Sequence, residues 1–174
     1  DHSSITDVLG RTQSIYFDHN HDVIKKVFAD GSFTISKRNK LGQVIETRDR
    51  LGRLTHYEYD HYGLLTTLTN HNGDSRHMRY NGLLLPIETI DELGHKQTMQ
   101  YNDLGLSTSS TDAEGNTTRY QYNTEGLLTA TIDAKGNQHQ YHYDEQHRLI
   151  AQTDCSGHKT KYEYGPLGQV ISMT

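Results

Sequence analysis

The sequence predicts an all-β chain of tandem 21-residue β-hairpin repeats that join into a long, curved antiparallel sheet. Three observations carry this expectation: glycines at a fixed period, tyrosines in a fixed register, and short strand-like runs between them. Gly10, Gly31, Gly52, Gly73, Gly94, Gly115, Gly136 and Gly157 stand 21 residues apart without an insertion or deletion. A second series at the same period holds Gly42, Gly63, Gly105, Gly126 and Gly168, with His21, Leu84 and His147 in its other slots. Thirteen of the fifteen glycines fall in these two series, so glycine marks positions here rather than general flexibility. A period of roughly 20 to 50 residues is the signature of a repeat array.

The glycines close turns. Three residues before the first series stand Asp7, Phe28, Asp49, Asn70, Asp91, Asp112, Asp133 and Asp154. Asp or Asn at the head of a four-residue phrase bonds its own backbone, and a closing Gly accepts positive φ. We call this phrase turn A and the phrase ending on the second series turn B.

Between the turns lie runs of six or seven residues rich in Thr, Tyr, Ile and Val, such as "LLTATI" and "NQHQYHY", which suit strands. Two columns of aromatic or large apolar residues precede turn B. One holds Phe17, Tyr59, Tyr80, Tyr101, Tyr122, Tyr143 and Tyr164, with Arg38 as its exception. The other, two residues earlier, holds Tyr57, Tyr120, Tyr141 and Tyr162, with Ile15, Met78 and Met99 at matching positions. Pro86 sits early in a strand and Pro166 in a turn, both tolerated places. Strands joined by four-residue turns are antiparallel neighbours. Eight units therefore make about sixteen strands, and at about 4.8 Å per strand the sheet would be about 75 Å wide. Twisted sheets of that extent curl or close.

An odd period poses a question of register. Side chains alternate faces with period two, so a 21-residue repeat would send successive tyrosines to opposite faces unless each unit carries one odd correction. A type I turn followed by a residue in the left-handed region, a G1 bulge, supplies one. Two such turns would cancel, so turns A and B are expected to differ, with turn A, glycine in all eight units, as the bulged one. That choice puts Ile24, Ile45, Ile87, Ile150 and Ile171 on the tyrosine face; the other puts Val23, Val44, Leu65, Leu128, Leu149 and Val170 there.

Composition narrows the function classes. The net charge of −5 comes without a basic cluster suited to phosphates, which argues against a nucleic-acid partner. The longest apolar run, Leu83 to Leu85, is far short of the roughly 20 residues of a membrane helix. A mean hydropathy of −0.83 would by itself suit a disordered chain, but the strict Tyr and Gly register argues against that reading.

Candidate chemistry is sparse. His139 and His142, three apart on one strand, would face opposite ways and cannot share an ion locally. His19 and His21 flank turn B, with no Cys pair or carboxylate at usual spacing to complete a metal site. Cys155, the only cysteine, sits inside turn A with no sequence neighbour that would activate a thiol, and reads as a turn residue. The repeated Asp residues read as turn heads. Asn116-Thr117-Thr118 fits a glycosylation sequon, of consequence only in a eukaryotic secretory setting. No catalytic, cofactor-binding or metal-binding residue is assigned, no cofactor is expected, and the chain is read as no enzyme.

The unit Tyr-x-Tyr-Asp-x-x-Gly-x-Leu, quoted in "YEYDHYGLL", "YHYDEQHRL" and "YNDLGLSTSSTDAEGNTTRYQYNTEGLL", resembles the YD repeat of RHS proteins, of the C components of bacterial Tc toxins, and of teneurins. The resemblance covers residues 1–174 as one array of about eight repeats, expected to be a fragment of a longer chain. It implies a structural role: a segment of the β-shell of a secreted or cell-surface bacterial RHS-type toxin, shielding a C-terminal toxic cargo. The partners it implies are that C-terminal toxin domain and the remaining shell of the parent chain. No self-cleaving core motif of the family is present, so no catalytic residue carries over. The teneurin side of the resemblance implies an alternative, a surface array that binds carbohydrate or mediates cell contact. Unpaired terminal strands at Thr12–Phe17 and Gln169–Thr174 are further expected to pair edge to edge with another copy.

Overall fold

In the computed structural model all 174 residues are described, and they form seventeen strands and no helix. Along the chain these are β1 (His2–Thr6), β2 (Thr12–Phe17), β3 (Val23–Val27), β4 (Phe33–Arg38), β5 (Val44–Arg48), β6 (Leu54–Tyr59), β7 (Leu65–Thr69), β8 (Ser75–Tyr80) and β9 (Pro86–Ile90). They continue with β10 (Lys96–Tyr101), β11 (Ser107–Thr111), β12 (Thr117–Tyr122), β13 (Leu128–Ile132), β14 (Gln138–Tyr143), β15 (Leu149–Thr153), β16 (Lys159–Tyr164) and β17 (Val170–Met173). The chain divides into two compact units, Asp1–Arg79 with Thr89–His95, and Tyr80–Glu88 with Lys96–Thr174. In the first, β1 to β8 pair in chain order as an antiparallel meander. In the second, β10 to β17 do the same. The all-β hairpin repeat expected from the sequence is the fold observed.

Turns A and B turn out to share one geometry, which corrects the expectation that they differ. In turn A of Asp7, the Gly10 amide donates to the Asp7 carbonyl and the Asp7 amide to the Arg11 carbonyl, each at 3.0 Å. In turn B of Asn123, Gly126 and Leu127 repeat the pattern at 3.1 and 3.0 Å. Every residue in the two glycine series has positive φ, and so do His21, Leu84 and His147, at 62° to 63°. The three side chains that break the glycine series thus occupy the same left-handed position rather than a different turn.

The odd correction lies in the strands instead. Tyr122 faces Leu128 while its neighbour Gln121 faces Ala130, leaving Thr129 as an extra residue. The same bulge leaves Ile24, Ile45, Thr66, Thr108, Ile150 and Ile171 unpaired beside the other described turn-B hairpins. Its effect on the faces can be followed through partners. Tyr120 faces Thr131, which faces His139, while the repeat counterpart of Tyr120 is Tyr141, two residues further along. An offset of two keeps both tyrosines on one face; without the bulge it would be odd. The bulge also resolves the two alternative columns. Val44 pairs with Arg38 and Thr47 with Ser36, so the column of Val44 lies on the tyrosine face, while the inserted Ile45 has no partner of its own.

Little is fully buried. Ala130 and Ala151, 21 residues apart on the face opposite the tyrosines, are the buried hydrophobic side chains, and no large side chain is fully buried. Order therefore rests on the hydrogen-bonded ladder, the turn geometry and half-buried cross-strand pairs rather than on an enclosed core.

Candidate functional site

The features that recur in both units are the turns and the seam that joins one turn-B hairpin to the next. Fourteen of the turns are headed by an Asp or Asn whose side-chain oxygen accepts two amides. At Asp133 these come from Lys135, at 2.9 Å, and Asn137, at 2.8 Å. The remaining two turns begin at Phe28 and Gly165, which carry no such side chain. The second carboxylate oxygen takes a further bond where residue i+4 can give one, as from Asn137 Nδ2 to Asp133 at 2.7 Å and from Arg11 Nε to Asp7 at 2.7 Å. These donors favour the charged form. The Asn116 and Asn137 side chains, above all, hold Asp112 and Asp133 below the ordinary value of 3.8, and the Arg11 amide does the same for Asp7.

At the seam, β13 and β14 pair regularly over three residues, from Ile132–Gln138 to Ala130–Gln140. Beyond them the bulge interrupts β13, and the Tyr143 hydroxyl donates to the Leu128 carbonyl at 2.9 Å. The same bond, always fifteen residues back, joins Tyr59 to Val44, Tyr101 to Pro86, Tyr122 to Ser107 and Tyr164 to Leu149, at 2.7 to 2.9 Å. At Val44, Ser107, Leu128 and Leu149 a tyrosine hydroxyl thus serves the residue just before the inserted one. Burial pushes the Tyr122 and Tyr143 hydroxyls above their ordinary pKa, which keeps them protonated as donors.

The residue after each turn-B slot leans toward the next unit. Gln43 Nε2 donates to the Gly63 carbonyl at 3.0 Å, and the Arg148 guanidinium lies 4.7 Å from the centre of the Tyr164 ring. In this column Asp22 is the one acid, and sixteen residues on stands Arg38, the exception among the aromatics. The two face each other, with Nη2 of Arg38 3.7 Å from Asp22 Oδ1. Arg38 Nη1 donates to the Gly42 carbonyl at 2.7 Å. An acid–base pair has replaced an apolar or amide residue against a ring. Sequence reading saw Arg38 as an exception and missed its partner; the column containing Asp22 was the available signal.

The other residues weighed for chemistry remain separate. His139 faces Thr131 and His142 faces Ala151, on opposite faces of β14. His21 takes a left-handed turn position, and Cys155 is exposed within turn A. No group of three or more His, Cys, Asp or Glu is placed to hold a metal ion. No helix is long and apolar enough to cross a membrane.

The family model described as Teneurin YD-shell matches residues 24–172. No curated protein matches. Among solved structures, the chain is similar to a Tc holotoxin pore of Photorhabdus luminescens, at 15% identity and a TM-score of 0.40. It is similar also to a TcdB2–TccC3 complex without its hypervariable C-terminal region, at 16% identity and a TM-score of 0.37. In both cases 99% of this chain is covered but only 14% of the other, so it spans about a seventh of their length. A porin-like protein from Bacteroides uniformis is covered over 86% of its chain and 99% of this one, at 12% identity and a TM-score of 0.37. With the matched residues running from β3 into β17, through the turns, bulges and tyrosine seams described above, the chain belongs to the teneurin YD-shell family.

Proposed function

We propose that this chain is a stretch of wall in a hollow β-shell of a secreted bacterial toxin-type protein, and that its work is exclusion. The shell encloses a C-terminal toxic cargo of the same polypeptide and keeps proteases and targets away from it. Membership in a YD-shell family supports the structural role. The observation that carries the reading furthest is the seam: where the bulge interrupts regular pairing, a tyrosine hydroxyl such as that of Tyr143 takes up the carbonyl of Leu128. A wall without unpaired backbone has few gaps. The alternative is a surface array that stacks tyrosines on sugars. The rings of Tyr59, Tyr122, Tyr143 and Tyr164 are half-buried with hydroxyls already bonded, which supports wall packing instead.

The test is limited proteolysis of the full-length polypeptide that carries this array. Gly136 has a φ of +85°, so Gly136→Val strains the turn although no atom lies within 4 Å of the added Cβ. This variant is expected to hasten degradation of the C-terminal region, while the exposed Lys135→Gln leaves it protected. Equal sensitivity of that region in the unmodified protein would overturn the shell reading in favour of the surface array.

A further inference from the structure

On the face opposite the tyrosine columns, one row of paired residues departs from the repeat. Tyr16 faces Lys25, Lys25 faces Ile35, and Ile35 faces Arg48. At the matching places of the second unit, Gln121 faces Ala130, Ala130 faces Gln140, and Gln140 faces Thr153. Small and neutral polar residues have given way to two cations with an apolar side chain between them. Phe33, two residues before Ile35 on the same face of β4, adds a ring. Lys25 Nζ lies 5.0 Å from the centre of that ring and Arg48 Cζ 5.6 Å. Lys25 and Ile35 also line a groove of about 820 Å³ together with Ile24 and Ile45, so apolar surface continues toward turn B.

The two cations lack acid partners. Residues 11–53 hold nine of the seventeen Lys and Arg but only five of the twenty-two Asp and Glu, in a chain whose net charge is −5. Those five acids are engaged elsewhere. Asp22 faces Arg38, Glu46 pairs with Lys37, Asp30 with Arg50 and Asp49 with Arg53, while Asp18 accepts the amides of Asn20 and Asp22. Lys25 and Arg48 make no ion pair of their own and rest against Phe33. An ammonium or guanidinium beside a ring keeps N–H donors for an anion.

We propose that this patch docks an acidic peptide segment of a partner, one in which an apolar residue stands between two carboxylates. In an extended segment crossing the strands, residues at alternate positions share a face about 6.7 Å apart. Lys25 and Arg48 flank Ile35 from the neighbouring strands, about 4.8 Å to each side, and their long stems cover the difference. The apolar side chain covers Ile35 and Phe33, and the carboxylates meet the two cations. Single-stranded nucleic acid fits less well, because the cations already lie against the ring on which a base would stack.

The experiment is a titration of the full ¹⁵N-labelled chain at low salt with the peptide acetyl-Ser-Glu-Ser-Leu-Ser-Glu-Ser-amide, followed by amide and arginine side-chain NMR shifts. Companion peptides replace both glutamates with glutamine, or the leucine with serine. Saturable shifts centred on residues 25, 33, 35 and 48 are expected with the acidic apolar peptide, and weaker binding with either companion. This comparison uses the unaltered chain and does not depend on the folding of any variant. An exposed ion pair corresponds to at most about fivefold in affinity. Lys25→Ala and Arg48→Thr, which put in the residues of the second unit, should therefore each weaken binding severalfold. Raising the salt to about 0.15 M, where the Debye length is about 8 Å, should weaken it as well. Lys161→Gln, which removes a cation from the same face of the second unit, should leave the affinity unchanged. Equal binding of either companion peptide, an unaltered affinity in Lys25→Ala or Arg48→Thr, shifts spread over both units, or no saturable shift would each overturn the proposal. Tighter binding of an eight-nucleotide oligothymidylate than of the acidic peptide would overturn it too, and would assign the patch to nucleic acid.

Discussion

The hydroxyl of Tyr143 donates to the carbonyl of Leu128 across 2.9 Å, from the end of β14 to the bulge that opens β13. The bond links the aromatic column, the bulge and the seam between neighbouring hairpins. Removing the hydroxyl alone, in Tyr143→Phe, keeps the ring and leaves a half-buried carbonyl without this donor. The expected loss is about 1–3 kcal/mol, read from urea unfolding midpoints at constant m-value. Tyr122→Phe should behave alike, because its hydroxyl serves Ser107 in the same way. Tyr62→Phe, in an exposed turn position, should change little.

The left-handed turn positions give a prediction of opposite sign at two sites. Gly136 at +85° resists any side chain, so Gly136→Ala should cost about 1–2 kcal/mol and Gly136→Val more. His147 already bears that strain at +62°. His147→Gly should therefore stabilise by about 1 kcal/mol in thermal or urea unfolding, because the exposed ion pair it gives up with Glu125 is worth little.

Asp22 and Arg38 should couple. Asp22→Leu leaves a cation facing an apolar neighbour, and Arg38→Tyr leaves a carboxylate facing a ring. Each alone is expected to destabilise, whereas the double substitution recreates the leucine-and-tyrosine arrangement of Leu106 and Tyr122. A double-mutant cycle should return a coupling of about 0.5–3 kcal/mol. Additive losses would mean that the pair acts independently.

Acid should loosen the turns headed by aspartate. The carboxyls of Asp7, Asp112 and Asp133 lie below 3.8 in the folded chain, so the folded state binds fewer protons than the unfolded state around that pH. Their contribution is present above pH 3.8 and is lost as pH falls through the lower, folded-state values. Circular dichroism during acid titration should show stability declining in that window. Asp133→Asn, which puts in that turn the residue that heads the turns of Asn102 and Asn123, should flatten the decline.

The period, the turns and the strand class were legible in the sequence because they depend on neighbours a few residues apart. Asp or Asn bonds amides two and four residues on, and the closing residue alone takes positive φ, so even His21, Leu84 and His147 kept their slots. The register was not legible. A 21-residue period requires one odd correction per unit, but a turn and a strand bulge satisfy that count equally well, and the choice is made by hydrogen bonds between strands. The pairs Val23-Ile24, Val44-Ile45, Leu149-Ile150 and Val170-Ile171 held a hint, since two adjacent apolar residues break strict alternation where the bulge falls. The pairing of Asp22 with Arg38 was likewise decided in three dimensions. Residues sixteen apart meet only after the bulge and the seam have set which side chains share a face.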